Sequence, residues 1–164
     1  MNTDKYRQEL INLALDQYHK PYEDDAHGPY SFDHTGLIWY LYNEILGINI
    51  YKDGYGKDAS TQIMTSSYGK LYVYEETIKD LEECNFKLGD ILFFHRKSFL
   101  DTEPKPTNKY PGYCGLYIGE KDFIHCHREH SNVVIGSFYH EYWNKCLVGK
   151  KDIFEDEKLL KKLK

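Results

Sequence analysis

The residues best placed to do chemistry fall where a helix start or a strand would fix them. His34 follows Asp33, whose carboxylate is suited to accept hydrogen bonds from the first free N–H groups of a helix. An imidazole there stands at the positive end of the helix, where a thiol would lose its proton readily. Two cysteines, Cys114 and Cys126, directly follow Tyr113 and His125 on segments of strand character. Strand alternation turns each thiol to the opposite face from its neighbour. Cys114, Leu116 and Ile118, with Ile124 and Cys126, then make a core face, and buried thiols are the ordinary case. His125, His127 and His130 crowd one hairpin. Two histidines two apart on a strand share a face and can hold a zinc ion. The plainer reading of His127 and His130 is as solvated hairpin residues, since no standard His/Cys ligand spacing is present.

The elements that must position these residues can be read from the periodicity. Thr3 is expected to cap a first helix running to about Tyr18, with Tyr6, Leu10, Leu13 and Ala14 as its apolar face. Lys20-Pro21 ends it, because the residue before a proline avoids the helical region. A loop with Glu23, Asp24 and Asp25 leads to a second helix from His34. There Leu37, Leu41 and Ile45, with Ile38 and Tyr42, recur at helical spacing, and Gly47 serves as the stop. A short helix is expected near Ser60 to Thr65 and a strand from Leu71 to Tyr74. The unbroken apolar run Ile91-Leu92-Phe93-Phe94 predicts a strand buried on both faces. Residues 96–112 form a long loop with three prolines. Strands from Tyr113 to Ile118 and from Phe123 to His127 make a hairpin across Gly119-Glu120-Lys121. A strand from Asn132, a helical turn near Trp143 and a last strand ending at Ile153 follow. Helices first and antiparallel strands after read as an α+β domain over residues 1–153, with a charged tail over residues 154–164.

Composition narrows the function classes. The net charge is −5 with no basic stripe, which argues against nucleic acid as a partner. The four cysteines include no CxxC and suggest reduced, buried thiols. No apolar run reaches membrane-spanning length. The first residues, Met1-Asn2-Thr3-Asp4-Lys5-Tyr6, do not read as a signal peptide, so the chain is expected to be cytoplasmic as synthesised, or phage-associated, or exported by another route. The 16 tyrosines are compatible with a lined groove or with codon bias alone.

An ordered set of short motifs resembles the NlpC/P60 cell-wall peptidases. It runs from Lys20-Pro21-Tyr22 through Gly28-Pro29, Ser31-Phe32-Asp33, Gly36-Leu37 and Tyr40-Leu41-Tyr42. It continues with Leu88-Gly89-Asp90-Ile91-Leu92-Phe93-Phe94, Gly115-Leu116-Tyr117-Ile118-Gly119, Phe123-Ile124-His125 and Tyr142-Trp143. The resemblance implies a papain-like fold with N-terminal helices packed on a central antiparallel sheet. It also implies a cysteine nucleophile at the helix start, a histidine base on a strand and a polar orienting residue on the next strand. Family members cleave peptide bonds in peptidoglycan stem peptides. Position by position, the nucleophile falls on His34, the base on Tyr113 and the orienting residue on His125. Tyr22, Asp33 and Thr35 fall at substrate-binding positions.

Thiol chemistry needs a thiolate and a base that can hold its proton. His34 offers no thiol, and a phenol with an ordinary pKa near ~10 is a poor base at neutral pH. The expectation is a domain that has lost cysteine-peptidase activity and keeps a groove for a peptidoglycan stem peptide or a protein segment. That groove is expected to be lined by Tyr22, His34, Tyr113 and His125, gated by residues 96–112, and without a cofactor. One alternative is a hydrolase with altered chemistry. It would use zinc, with His34, His125 and His127 as candidate ligands, or a displaced cysteine. Another is a structural part of a phage-like particle.

Overall fold

The computed structural model describes residues 3–51, 57–75, 77–95 and 111–163. Three helices come first: α1 (Asp4–Asp16), α2 (His34–Leu46) and α3 (Lys57–Thr65). Strand β1 (Lys70–Val73), a 3₁₀ turn (Leu81–Cys84) and strand β2 (Ile91–Phe94) follow. Then come β3 (Tyr113–Gly119), β4 (Asp122–His127), β5 (Asn132–Ser137), α4 (Glu141–Cys146), β6 (Leu147–Asp152) and α5 (Glu157–Lys162). The strands form one antiparallel sheet in the order β1-β6-β2-β3-β4-β5. The fold is the α+β arrangement expected from the sequence. Among the described residues, no helix is long and apolar enough to cross a membrane.

The sheet separates two cores. Ile91 and Phe93 of β2 join Leu10, Leu37, Leu41, Cys114 and Cys126 on the helix side. Leu92 and Phe94 join Tyr113, Phe123 and Phe138 on the other. The two-sided burial read from the apolar run of β2 is therefore present, with all four residues buried. The β3–β4 hairpin turns at Glu120 and Lys121, which take φ of 54° and 63°. Two consecutive left-handed residues match the twist of a tight hairpin.

Helix α2 is bounded as its sequence predicts. The Asp33 carboxylate accepts the Gly36 N–H at 2.6 Å, and Gly47 ends the helix at φ 68°. Helix α1 departs from expectation in two ways. It stops at Asp16, and the Thr3 side chain makes no capping hydrogen bond. Its buried face also includes Arg7 alongside Leu10, Ile11 and Ala14.

That arginine belongs to a charged layer inside the fold. Arg7 Nη2 reaches both carboxylate oxygens of Asp152 at 2.8 Å, and Nη1 donates to the Leu88 carbonyl at 2.9 Å. All of β6 is buried, including Lys150, Lys151 and Asp152. Lys150 Nζ donates to Asp90 at 2.8 Å and to the Asn85 carbonyl at 3.0 Å. Lys151 Nζ meets the Ile63, Met64 and Ser66 carbonyls at 2.7 to 3.1 Å, so it caps the C-terminal end of α3. Burial draws the Lys151 ammonium down to about 8. It also pushes the Asp90 carboxyl up, against the pull of Lys150. Beyond Ile153, Phe154 and Leu159 are buried in the helix-side core, and Asp156 caps α5 by accepting the Leu159 N–H at 3.0 Å.

Removing one partner of a buried ion pair strands the other charge. Asp152→Ala is expected to cost about 3–5 kcal/mol, read as a lowered urea midpoint. Arg7→Met combined with Asp152→Leu is expected to recover most of that loss. Asp33→Ala should cost about 1–2 kcal/mol through the lost cap.

Candidate functional site

Asp33 organises the start of α2 with one buried carboxylate. Oδ1 accepts the Gly36 N–H and the Thr35 hydroxyl at 3.1 Å, and Oδ2 accepts the Asp25 N–H at 3.1 Å. Burial pushes the Asp33 carboxyl up, and these three hydrogen bonds pull it back. The loop before the helix lies so close that a Cβ on Gly36 would collide with the Ala26 carbonyl. Asp33 and Thr35, expected to touch substrate, are 3% and 0% exposed and hold the helix start together.

The same geometry brings His34, Tyr113 and His125 together. The His34 and Tyr113 rings stack with centroids 4.9 Å apart, and Tyr113 and His125 meet edge to face at 5.5 Å. The Tyr113 oxygen lies 2.6 Å from His125 Nδ1 and 2.9 Å from the Cys126 carbonyl. A phenol has one proton to give, and a carbonyl can only accept. The Tyr113 proton therefore goes to Cys126 O, and His125 Nδ1–H donates to the Tyr113 oxygen. Burial, reinforced by His127, His130 and His34, holds the His125 imidazole well below its ordinary range. His125 is thus a neutral ring with its Nδ1 proton fixed. All three residues are nearly enclosed, at 5%, 6% and 2% exposure in chain order.

The thiols face the helices, as alternation requires. Cys114 and Cys126 are both 0% exposed. Cys126 Sγ donates to the Phe32 carbonyl at 3.1 Å, and burial pushes its thiol up to about 12. Cys114 Sγ lies 3.7 Å from His34 Nδ1 and 3.6 Å from the His34 carbonyl, and burial raises that thiol too.

Tyr22 stays on the adjoining loop, bridged through its backbone to Phe32, and its hydroxyl donates to Asp24 at 2.8 Å. His127 accepts the Glu129 N–H at 3.1 Å and lies 4.6 Å from the His130 ring. Among the described residues, no three His, Cys, Asp or Glu side chains gather to hold a metal ion. Of the expected gating loop 96–112, residues 96–110 lie outside the described residues.

Sequence reading gave Trp143 no role at the site. Its indole stands 5.1 Å from His125, 6.1 Å from Tyr113 and 5.1 Å from Phe123, so it closes the ring cluster from α4. The Tyr142-Trp143 pair was visible in the sequence, but its helix lies 16 residues or more beyond His125 and nothing local ties the two.

The model of the NlpC/P60 family matches residues 19–152. The chain is 24% identical over 150 residues to the murein DD-endopeptidase MepH of Escherichia coli, covering 91% of this chain and 46% of that protein. It spans about half the length of the curated relatives it matches. Among solved structures, an NlpC/P60 family protein from Bacillus cereus superposes with a TM-score of 0.65 at 20% identity, covering 90% of this chain and 40% of that one. RipD from Mycobacterium tuberculosis, described as a non-catalytic NlpC/p60 domain protein adapted to peptidoglycan binding, superposes with a TM-score of 0.57 at 16% identity, covering 90% and 97%. With its family model matching from before the α2 cap to the end of β6, and its fold shared with solved members, this chain belongs to the NlpC/P60 family.

Proposed function

We propose that this domain binds a peptidoglycan stem peptide, or an extended protein segment of similar chemistry, and does not cleave it. The observation that carries the reading is the closed contact of Tyr113 with His125 and Cys126 O, at 2.6 and 2.9 Å. The residues at the base and orienting positions satisfy one another, and the residue at the nucleophile position is an imidazole. A peptidase of this plan needs a thiolate beside a free base. Here a phenol whose hydroxyl donates to a backbone carbonyl stands at the base position, and no thiol stands at position 34. A non-catalytic solved relative, RipD, supports the same reading, because binding can outlast catalysis on this fold.

A displaced thiol is the second reading, favoured by the 3.7 Å approach of Cys114 Sγ to His34 Nδ1. It is the weaker one. Cys114 is 0% exposed, and burial holds its thiol protonated, so neither substrate nor thiolate is at hand. A metal-assisted route at His34 and His125 is also less well supported, since among the described residues no third His, Cys, Asp or Glu side chain joins them to hold a metal ion.

The purified chain is expected to co-sediment with insoluble peptidoglycan and to release no new peptide ends from it. His34→Cys combined with Tyr113→His supplies a thiol and an imidazole at neighbouring positions. Cleavage by that variant should rise about 10²–10⁴-fold above wild type and be blocked by a thiol alkylator. Wild-type cleavage that Cys114→Ser abolishes would replace this proposal with the displaced-thiol reading.

The closed site also sets an acid sensitivity. The folded-state pKa of His125 is lowered, so below the unfolded value near ~6.5 the unfolded chain binds a proton that the folded chain refuses. Stability contributed by neutral His125 is full above that value and declines as pH falls through it. Between about pH 6 and 5, wild type should lose up to ~1.4 kcal/mol more per pH unit than His125→Asn, read from urea midpoints. Equal slopes in the two proteins would show that His125 is not held neutral by the fold.

A further inference from the structure

A second concavity lies along the outer face of α2, lined by residues from Pro29 to Tyr51 and by the loop before the helix. It has a volume of about 710 Å³, within the range of small-ligand sites. Its wall is aromatic. His27 lies edge to face with Trp39 at 5.4 Å and stacks over Tyr51 at 6.3 Å. Tyr40 packs on the buried Phe32 ring at 5.3 Å. Gly28, at φ 86°, lets the loop pass directly over Phe32 and Tyr40, where a Cβ would clash with both rings. The rings are thus held by the core beneath them and are not loose surface side chains.

The polar groups on this wall are arranged in a definite sense. The Trp39 indole N–H donates to Asn49 Oδ1 at 3.2 Å, which fixes the ring and leaves the Asn49 amino group to donate outward. The Asn43 amino group donates to the Ile48 carbonyl at 3.3 Å, which leaves its amide oxygen to accept. Glu44 adds a carboxylate acceptor, and among the described lining residues there is no lysine or arginine, with Lys20 Nζ held at the edge by the Pro29 carbonyl at 2.8 Å. An anionic ligand such as a phosphate ester would meet the Glu44 carboxylate. The groove instead offers flat rings for a weakly polar C–H face, with one donor and two acceptors beside them. A pyranose sugar presents that combination: axial C–H bonds on a face and equatorial hydroxyls, each both donor and acceptor, around its edge.

We infer that this groove is a saccharide-binding site, with Trp39 as its stacking platform and Asn43, Glu44 and Asn49 as its hydroxyl partners. Its residues on α2, Trp39 to Glu44, stand about one and a half to three helical turns from His34. It does not depend on whether the His34 site cleaves or only binds.

The test uses the full chain and two stem-peptide-free probes, tetra-N-acetylchitotetraose and a glycan of alternating N-acetylglucosamine and N-acetylmuramic acid. Titration is followed by calorimetry and by the Trp39 indole N–H resonance. Saturable binding of either probe, with a shifted Trp39 resonance, is expected. Trp39→Ala should weaken it at least about tenfold, and Trp39→Phe, which keeps a ring, should stay within about threefold of wild type. Asn43→Ala, which removes no ring, should also weaken binding, so the inference does not rest on one variant. A preference for one probe identifies the source of the sugar. Binding of neither probe, binding unchanged in Trp39→Ala, or a proline-rich peptide displacing a bound saccharide without a Trp39 shift would overturn the site. Because neither probe carries a stem peptide, failure here leaves the stem-peptide proposal standing, and the sedimentation result decides that one separately.

Discussion

One buried carboxylate fixes the frame on which the candidate chemistry stands. Asp33 gathers the Gly36 N–H, the Thr35 hydroxyl and the Asp25 N–H, each within 3.1 Å. Burial alone would favour its protonated form, and the three donors are what keep an acceptor useful there. The cap fixes the angle at which α2 leaves the loop. That angle decides where His34 stands relative to β3, and therefore that its ring meets Tyr113 at 4.9 Å. The same loop passes over α2 close enough to require glycine at position 36. A single acid thus ties the acidic loop, the helix start and the sheet into one rigid corner.

Features that depend on local rules are legible in the sequence. The Asp33 cap, the Gly47 stop, the two-sided β2 and the Gly119 hairpin each need only a few neighbouring residues to be recognised. The charged interior was not legible for the opposite reason. Lys150, Lys151 and Asp152 fall in the last strand, and each is satisfied by groups 60 to 145 positions away. Arg7 belongs with them, since its partner Asp152 lies 145 residues downstream, beyond any local pattern. Buried charges of this kind obey pairing rules that act in space and leave no periodic trace. The missing Thr3 cap is a smaller lesson of the same sort: a residue type suited to a role does not oblige the chain to use it.

At the site, the sequence identified the positions and the structure defines how they are bonded. His34, Tyr113 and His125 were expected to meet, and they do. What residue types alone could not give is the direction of each proton. That direction follows from the Cys126 carbonyl, a backbone group that no side-chain motif records. It makes the polar pair a donor chain ending on the main chain. Trp143 then shields the chain of donors from α4. Neutral His125 keeps the lone pair of Nε2, so what sets this site apart from a thiol peptidase is the phenol at position 113 and the imidazole, in place of a thiol, at position 34.

Helix α2 consequently carries two kinds of surface along one length. Its first turn is locked into the sheet by the Asp33 cap and the Tyr113 stack, and its exposed flank presents Trp39, Tyr40 and Asn43 over a loop shaped by Gly28. The core beneath is common to both, since Leu37, Ile38 and Leu41 are fully buried between them. A change at the helix start can therefore remove thiol chemistry without disturbing the flank, because the cap and the core, and not the residue at position 34, hold the helix in place. That separation would let the proposed saccharide groove keep its shape whatever residue stands at position 34, because the groups that line it sit on a helix placed by the cap and the core.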